Sequence, residues 1–236
     1  MQLSKLENLF YEKLKGNNIL IFRIKDVCLL LKINKTKAYN LVKSLKRKDI
    51  IKKIGNGFLA FKESNELSIA TELNSPSYIS FWSALNYYGF SDQMPKKIFL
   101  ASTKYSREIK GFKYVTISKS KFFGYVKIGE ITIAEKEKAI IDSLLFPKYS
   151  GGIREIIKCI KAALKEMEIK KLIEYALKVR SKAVLRRLGF ILEELRYKEN
   201  AIEKIGKKIG KGYELLDPNL RRKNNLNKKW LLDINC

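Results

Sequence analysis

Leu3, Leu6, Phe10 and Leu14 recur at three- and four-residue intervals, the period of a helix that buries one stripe. Gly16-Asn17-Asn18 stops the pattern, and Ile19-Leu20-Ile21-Phe22 is a short β-prone run. Residues 25–31 read as a second short helix that buries Val27, Leu30 and Leu31. Lys32-Ile33-Asn34 then forms a three-residue turn into a third helix, capped by Asn34, whose side chain can accept from the free amides of the first turn. In that helix Ala38, Leu41, Val42 and Leu45 form the apolar stripe, and the pattern predicts a helix over residues 35–46. Ile50-Ile51-Lys52-Lys53-Ile54 runs into Gly55-Asn56-Gly57 and Phe58-Leu59-Ala60-Phe61, a hairpin whose Asn-Gly pair supplies positive φ.

A polar stretch follows, with Glu63-Ser64-Asn65-Glu66 and Asn74-Ser75-Pro76 at its ends and room for a short bridging helix at 67–73. The pattern places a boundary there, with one domain at 1–62, a linker at 63–75 and a second domain at 76–236. Beyond it, residues 78–88 read as an aromatic helix ended by Gly89. Strand-like runs follow at 97–101, 112–117, 125–128 and 131–134. Helical period returns at 135–145 and, as two or three helices, from 153 to about 198; residues 207–236 read as an irregular basic tail. The expected fold is α+β, an N-terminal winged helix-turn-helix followed by a larger mixed α/β domain with a helical C-terminal part.

Charge sharpens this picture. The chain of 236 residues carries 49 Lys or Arg against 24 Asp or Glu, a net charge of +25, a field that attracts polyanions. Residues 1–61 alone hold 14 basic and 4 acidic side chains. A chain rich in Ile, Lys and Asn through codon bias would also be basic, so the placement of charge matters more than its sum. On the third helix Thr36, Asn40, Lys43 and Arg47 lie opposite the apolar stripe, flanked by Lys35, Lys37 and Tyr39. Asn can pair with adenine and Thr can meet a base edge or a thymine methyl, while lysines bind phosphate. Lys52, Lys53 and Asn56 on the hairpin are placed for a minor groove or the phosphates. A lysine-rich helix face also suits plain solvation, and winged helices serve as protein-binding modules too.

A second basic surface is expected on the later helices, at Arg154, Lys158, Lys161, Arg180, Lys182, Arg186 and Arg187, against the plainer reading of a solvated face. Phe81, Trp82, Leu85 and Tyr88 are expected in the core, Asp142 as a cap or lysine partner, and Trp230 as an anchor for the tail.

Several chemistries are set aside. Histidine is absent, which removes imidazole acid-base work and His-ligated zinc. Cys28, Cys159 and Cys236 are too far apart in sequence for a zinc ribbon, and their odd, sparse count suits a reducing cytoplasm. No signal-peptide core or membrane span is evident. No Walker loop or Rossmann glycine pattern appears, no Gly-Ser followed by Asp-x-Asp, and Glu135-Lys136-Glu137-Lys138 has the wrong order for a restriction-type nuclease. The expectation is a protein with no catalytic residues, metal or cofactor.

Three stretches are distinctive in combination: residues 75–90 around Phe81-Trp82-Ser83-Ala84-Leu85, residues 131–142 ending in Ile140-Ile141-Asp142, and the close, Leu215-Leu216-Asp217-Pro218-Asn219 with Lys229-Trp230-Leu231-Leu232-Asp233. In this order, behind a winged helix, they resemble the AbiEi family of antitoxins and transcriptional regulators from abortive-infection systems, over nearly the whole chain. The resemblance implies repression of the protein's own promoter at inverted repeats of double-stranded DNA, through the helix at 35–46. It also implies a functional link to a nucleotidyltransferase toxin, AbiEii, without a stable complex, the arrangement termed type IV. The basic run Arg221-Arg222-Lys223 departs from the family's usual ending. The alternative is a stand-alone winged-helix transcription factor whose second domain only dimerises.

Overall fold

The computed structural model describes residues 2–197 and 200–236. It is α+β, with ten α-helices and twelve short strands among the described residues.

The first unit is built from α1 (Lys5–Gly16), β1 (Ile21–Phe22), α2 (Ile24–Leu31), α3 (Lys35–Arg47), β2 (Ile51–Gly55) and β3 (Phe58–Phe61). A capping box starts α1. Ser4 accepts from the Glu7 amide at 3.3 Å, and the Glu7 carboxylate accepts from the Ser4 amide at 2.7 Å. Lys32 in the left-handed region ends α2, and the Asn34 side chain accepts from the Lys37 amide at 2.9 Å to start α3. Asn56 and Gly57, both at positive φ, turn the β2–β3 hairpin. Phe10, Leu14, Phe22, Val27, Ala38, Leu41, Val42, Leu45, Ile51, Leu59 and Phe61 form the small core. Leu30 and Leu31, expected inside, are only partly buried, and Leu6 is exposed.

The sheet order is β1-β3-β2, and its two faces serve different partners. Side chains alternate along a strand. Phe22, Ile51, Leu59 and Phe61 therefore face the small core, while Ile21, Ile54, Phe58 and Ala60 pack into the larger one. The segment 63–75, expected as a linker, carries α4 (Glu66–Leu73), whose Ile69, Ala70 and Leu73 are buried in that larger core. Glu66 itself is exposed, and Leu67 is the first residue of α4 packed against that core.

That unit is organised on a mixed six-stranded sheet. Its strands are β4 (Ser77–Ile79), β5 (Ile98–Ser102), β6 (Arg107–Ile109), β7 (Phe112–Thr116), β8 (Tyr125–Ile128) and β9 (Ile131–Ala134), in the order β6-β7-β5-β4-β9-β8. The expected helix over 78–88 divides. Residues 77–79 are a central strand, Ser80 is extended, and α5 (Phe81–Tyr87) starts after it. Local helical spacing lost to pairing on both sides, antiparallel with β5 and parallel with β9.

Helix α6 (Lys136–Leu145) is the hub, packed against α5, α7 (Ile153–Ala163), α8 (Ile169–Val179) and α9 (Lys182–Glu194). It is buried all round, including Lys138 and Asp142, which pair with each other at complete burial. Ser80 Oγ and Tyr78 Oη donate to Asp142 at 2.8 and 3.0 Å, and Lys138 Nζ donates to Tyr78 Oη at 2.9 Å. Every charge in this knot has a partner, the condition for burying charge at all. Burial still pushes the Lys138 ammonium below its usual range.

The helices expected from 153 onward number three, and Lys198, their expected limit, lies outside the described residues. After α10 (Asn200–Gly206) the tail is more ordered than its composition suggests: β10 (Glu214–Leu215), β11 (Leu226–Asn227) and β12 (Leu232–Asp233) form a small sheet. Trp230 is fully buried over Gly189, where any Cβ would overlap its ring. No helix among the described residues is long and apolar enough to cross a membrane.

Candidate nucleic-acid interface

Between α3 and the β2–β3 hairpin lies a groove of about 540 Å³, lined by Tyr39, Asn40, Lys43, Lys46, Arg47, Lys53 and Gly57 over a floor of Ile24, Val42 and Leu59. On α3 these polar positions are i, i+1, i+4, i+7 and i+8, one continuous helical stripe. Lys53 reaches it from the hairpin because it shares the face of Ile51. Its cross-strand partner is Leu59, whose side chain is part of the floor.

The groove is unusual in its charge. Four cations line it and no acid does, and none of the four has an ion pair or side-chain hydrogen bond among the described residues. Elsewhere in the same unit lysines do find acids: Lys15 with Glu63, Lys48 with Glu7 and Lys62 with Asp49. Tyr39 and Asn40 are exposed beside the unpaired cations.

The ten residues expected at this interface are not equivalent. Tyr39, Asn40, Lys43, Arg47 and Lys53 come together in the groove. Lys35, Thr36 and Lys37 are exposed on the first turn of α3, beyond its lining, and Asn56 is exposed at the hairpin tip. Lys52 is half-buried and on the other face of β2, the face of Ile54 and Ala60, so strand alternation turns it away from α3. Lys46 belongs to the groove and was legible in the sequence, three residues beyond Lys43 and seven beyond Tyr39.

The hairpin is held from behind by the larger unit. Lys110, between β6 and β7, donates from Nζ to the Lys53 carbonyl at 2.8 Å. Gly55 lies beside Ile109, whose Cγ2 would touch a Cβ placed there at 3.4 Å.

The expected second basic surface is corrected. Arg154, Lys158 and Lys161 form an exposed stripe on α7, and Arg180 and Lys182 are exposed at the α8–α9 corner. Arg186 and Arg187 are buried. Arg186 donates to the Ile209 carbonyl at 2.8 and 3.1 Å and to the Lys211 carbonyl at 2.9 Å. Arg187 donates to the Leu144, Leu215 and Leu216 carbonyls at 2.8, 3.1 and 2.9 Å. The tail covers what the sequence presents as a solvent face of α9, and the guanidiniums satisfy its carbonyls.

No family model and no curated protein matches the chain. Among solved structures the chain is similar to the crystal structure of the RV2827C protein from Mycobacterium tuberculosis, at 12% identity over 98% of this chain and 92% of that one, with a TM-score of 0.68. At that identity the likeness is one of fold alone.

Proposed function

We propose that the protein is a DNA-binding transcriptional regulator whose first unit acts as a winged helix-turn-helix. In this reading α3 enters the major groove and the β2–β3 wing grips the flanking backbone. One observation carries the proposal: four unpaired cations, with Asn40 and Tyr39, share a groove between helix and wing that contains no acid. Lys43, Lys46, Arg47 and Lys53 bind phosphate, and Asn40 reads a base edge. The resemblance to AbiEi antitoxins extends the reading to autorepression at inverted repeats and to relief of a nucleotidyltransferase toxin, with no chemistry of the protein's own.

Fluorescence anisotropy with the full-length protein and a duplex from its own promoter tests this. Affinity falls linearly on a log–log plot as salt rises. Asn40→Ala costs about 1–3 kcal/mol on the preferred site and little on random duplex, whereas Lys53→Ala weakens both alike. Salt-independent binding, or equal losses for the two variants on both duplexes, would sink the reading. Co-expression with a nucleotidyltransferase encoded beside the gene tests the antitoxin role, with growth as the readout.

A further inference from the structure

The basic tail builds a second cationic concavity, far along the sequence from α3. It is an open depression of about 540 Å³, lined on its charged side by Arg154, Asp217, Arg221, Arg222 and Lys223 and closed by Asn235 and Cys236. Arg154, Arg221 and Lys223 are exposed and make no ion pair or side-chain hydrogen bond among the described residues. Arg222 Nε stands 3.7 Å from Asp233.

The walls are held from within by buried polar side chains. Asn235 accepts from the Asp217 amide at 2.8 Å, and its Nδ2 donates to the Asp217, Leu220 and Arg221 carbonyls at 2.8, 3.2 and 3.3 Å. Asp233 accepts from the Asn224 and Asn225 amides at 3.0 and 3.2 Å. These bonds fix the backbone on both sides of the three consecutive cations. Asp217, the one acid in the wall, is buried and already accepts from Ile153 N, Asn219 N and Asn219 Nδ2 at 2.8–2.9 Å. It occupies the N-terminus of α7, so the pocket's positive character comes from side chains and not from the helix. A rigid loop presenting unpaired guanidiniums is the arrangement that recognises a phosphoryl group, since each guanidinium offers two parallel donors.

We propose that Arg154, Arg221, Arg222 and Lys223 form a phosphoryl-binding site, separate from the α3 groove. The phosphoryl group belongs either to a free polyphosphate or to a nucleic acid strand, two sources with the same contact chemistry.

Cys236 provides a local readout, because its thiol lies in the pocket wall within the field of Arg154 and Lys223. Burial, and after it the Asp217 carboxylate, raise that thiol above its usual range, Arg154 and Lys223 oppose the rise, and a bound anion removes their help. Full-length protein is alkylated with iodoacetamide, and labelling at Cys236 and at the remote, partly exposed Cys28 is followed by peptide mass spectrometry. Pyrophosphate should slow Cys236 labelling about fivefold when its free concentration is about four times the dissociation constant, and leave Cys28 unchanged. Protection by a 5′-phosphorylated single-stranded oligonucleotide but not by pyrophosphate assigns the site to nucleic acid, and the reverse assigns it to a free polyphosphate. Both Arg154→Gln/Arg221→Gln and Lys223→Gln, changes at exposed positions, should weaken the protection, the pair more than the single change. The proposal is overturned if neither ligand protects, if chloride at matched ionic strength protects equally, or if protection survives in both variants.

Discussion

Glu7 is buried where α1 meets the end of α3, and its carboxylate accepts from the Ser4 amide, from Ser44 Oγ at 2.8 Å and from Lys48 Nζ at 2.6 Å. The Lys48 ammonium, with the Ser4 amide behind it, lowers the carboxyl from its usual 4.5 to about 2. A carboxyl depressed by folding stabilises the native state above its unfolded value and loses that contribution as pH falls towards the folded one. Urea midpoints of the full-length protein should therefore fall between pH 4.5 and about 2, and Glu7→Gln should flatten that part of the profile. At pH 7 the same change costs roughly 1–2 kcal/mol, through the capping box and the charged hydrogen bond. Asp142 is a harsher case. Its removal strands Lys138 at zero exposure, so Asp142→Ala should cost about 3–5 kcal/mol in the same urea titration. Replacing both partners, as Lys138→Met with Asp142→Leu, should recover much of that loss, because no charge is then left unpaired.

At the scale of elements, α9 and the tail depend on each other. Trp230 lies on Gly189 and donates from Nε1 to Glu193 at 2.5 Å, while Arg186 and Arg187 hold residues 209–216 by their carbonyls. Gly189→Ala puts a methyl into the indole and should cost about 1–3 kcal/mol or more, read as a lower melting temperature and faster proteolysis after residue 206. Charge reversal at Arg186 or Arg187 should unfold this region, since buried carbonyls lose their donors. This junction also shows what a sequence conceals. Helix α3 and the β2–β3 hairpin are legible because their signals are local: a cap, an apolar stripe and an Asn-Gly turn. Arg186-Arg187 reads as surface because the tail that covers it lies more than twenty residues away, and no local pattern announces that cover. The strand at 77–79 is hidden for the same reason, since its partners are at 98–102 and 131–134.

For the whole molecule, the β2–β3 hairpin is shared property. Ile54 and Ala60 are buried, and Phe58 partly so, because the larger unit stands behind them, and Lys110 ties that unit to Lys53. Residues 1–62 in isolation should therefore melt lower and, under the proposed function, bind duplex more weakly than the full chain at the same salt. Extending the piece to 75 should recover part of the stability, because α4 also packs against β1. Circular dichroism and anisotropy on the two pieces check this; equal stability of the 1–62 piece and the intact protein would show the hairpin to be self-sufficient. The polar stretch at 63–75 gives no sign of the contact between the hairpin and the larger core, since an alternating strand looks alike whether its second face meets water or protein. The place of Trp230 and Leu232 in the larger core has a consequence in time. A ribosome working at about 5–20 residues per second delivers residue 232 on the order of ten seconds after residue 62. Through that interval the back face of the β2–β3 hairpin waits for a support from which Trp230 and Leu232 are still missing. A translation product abandoned before Trp230 lacks packing residues of the core on which the β2–β3 hairpin rests, so synthesis through Leu232 becomes a condition for the hairpin's full support.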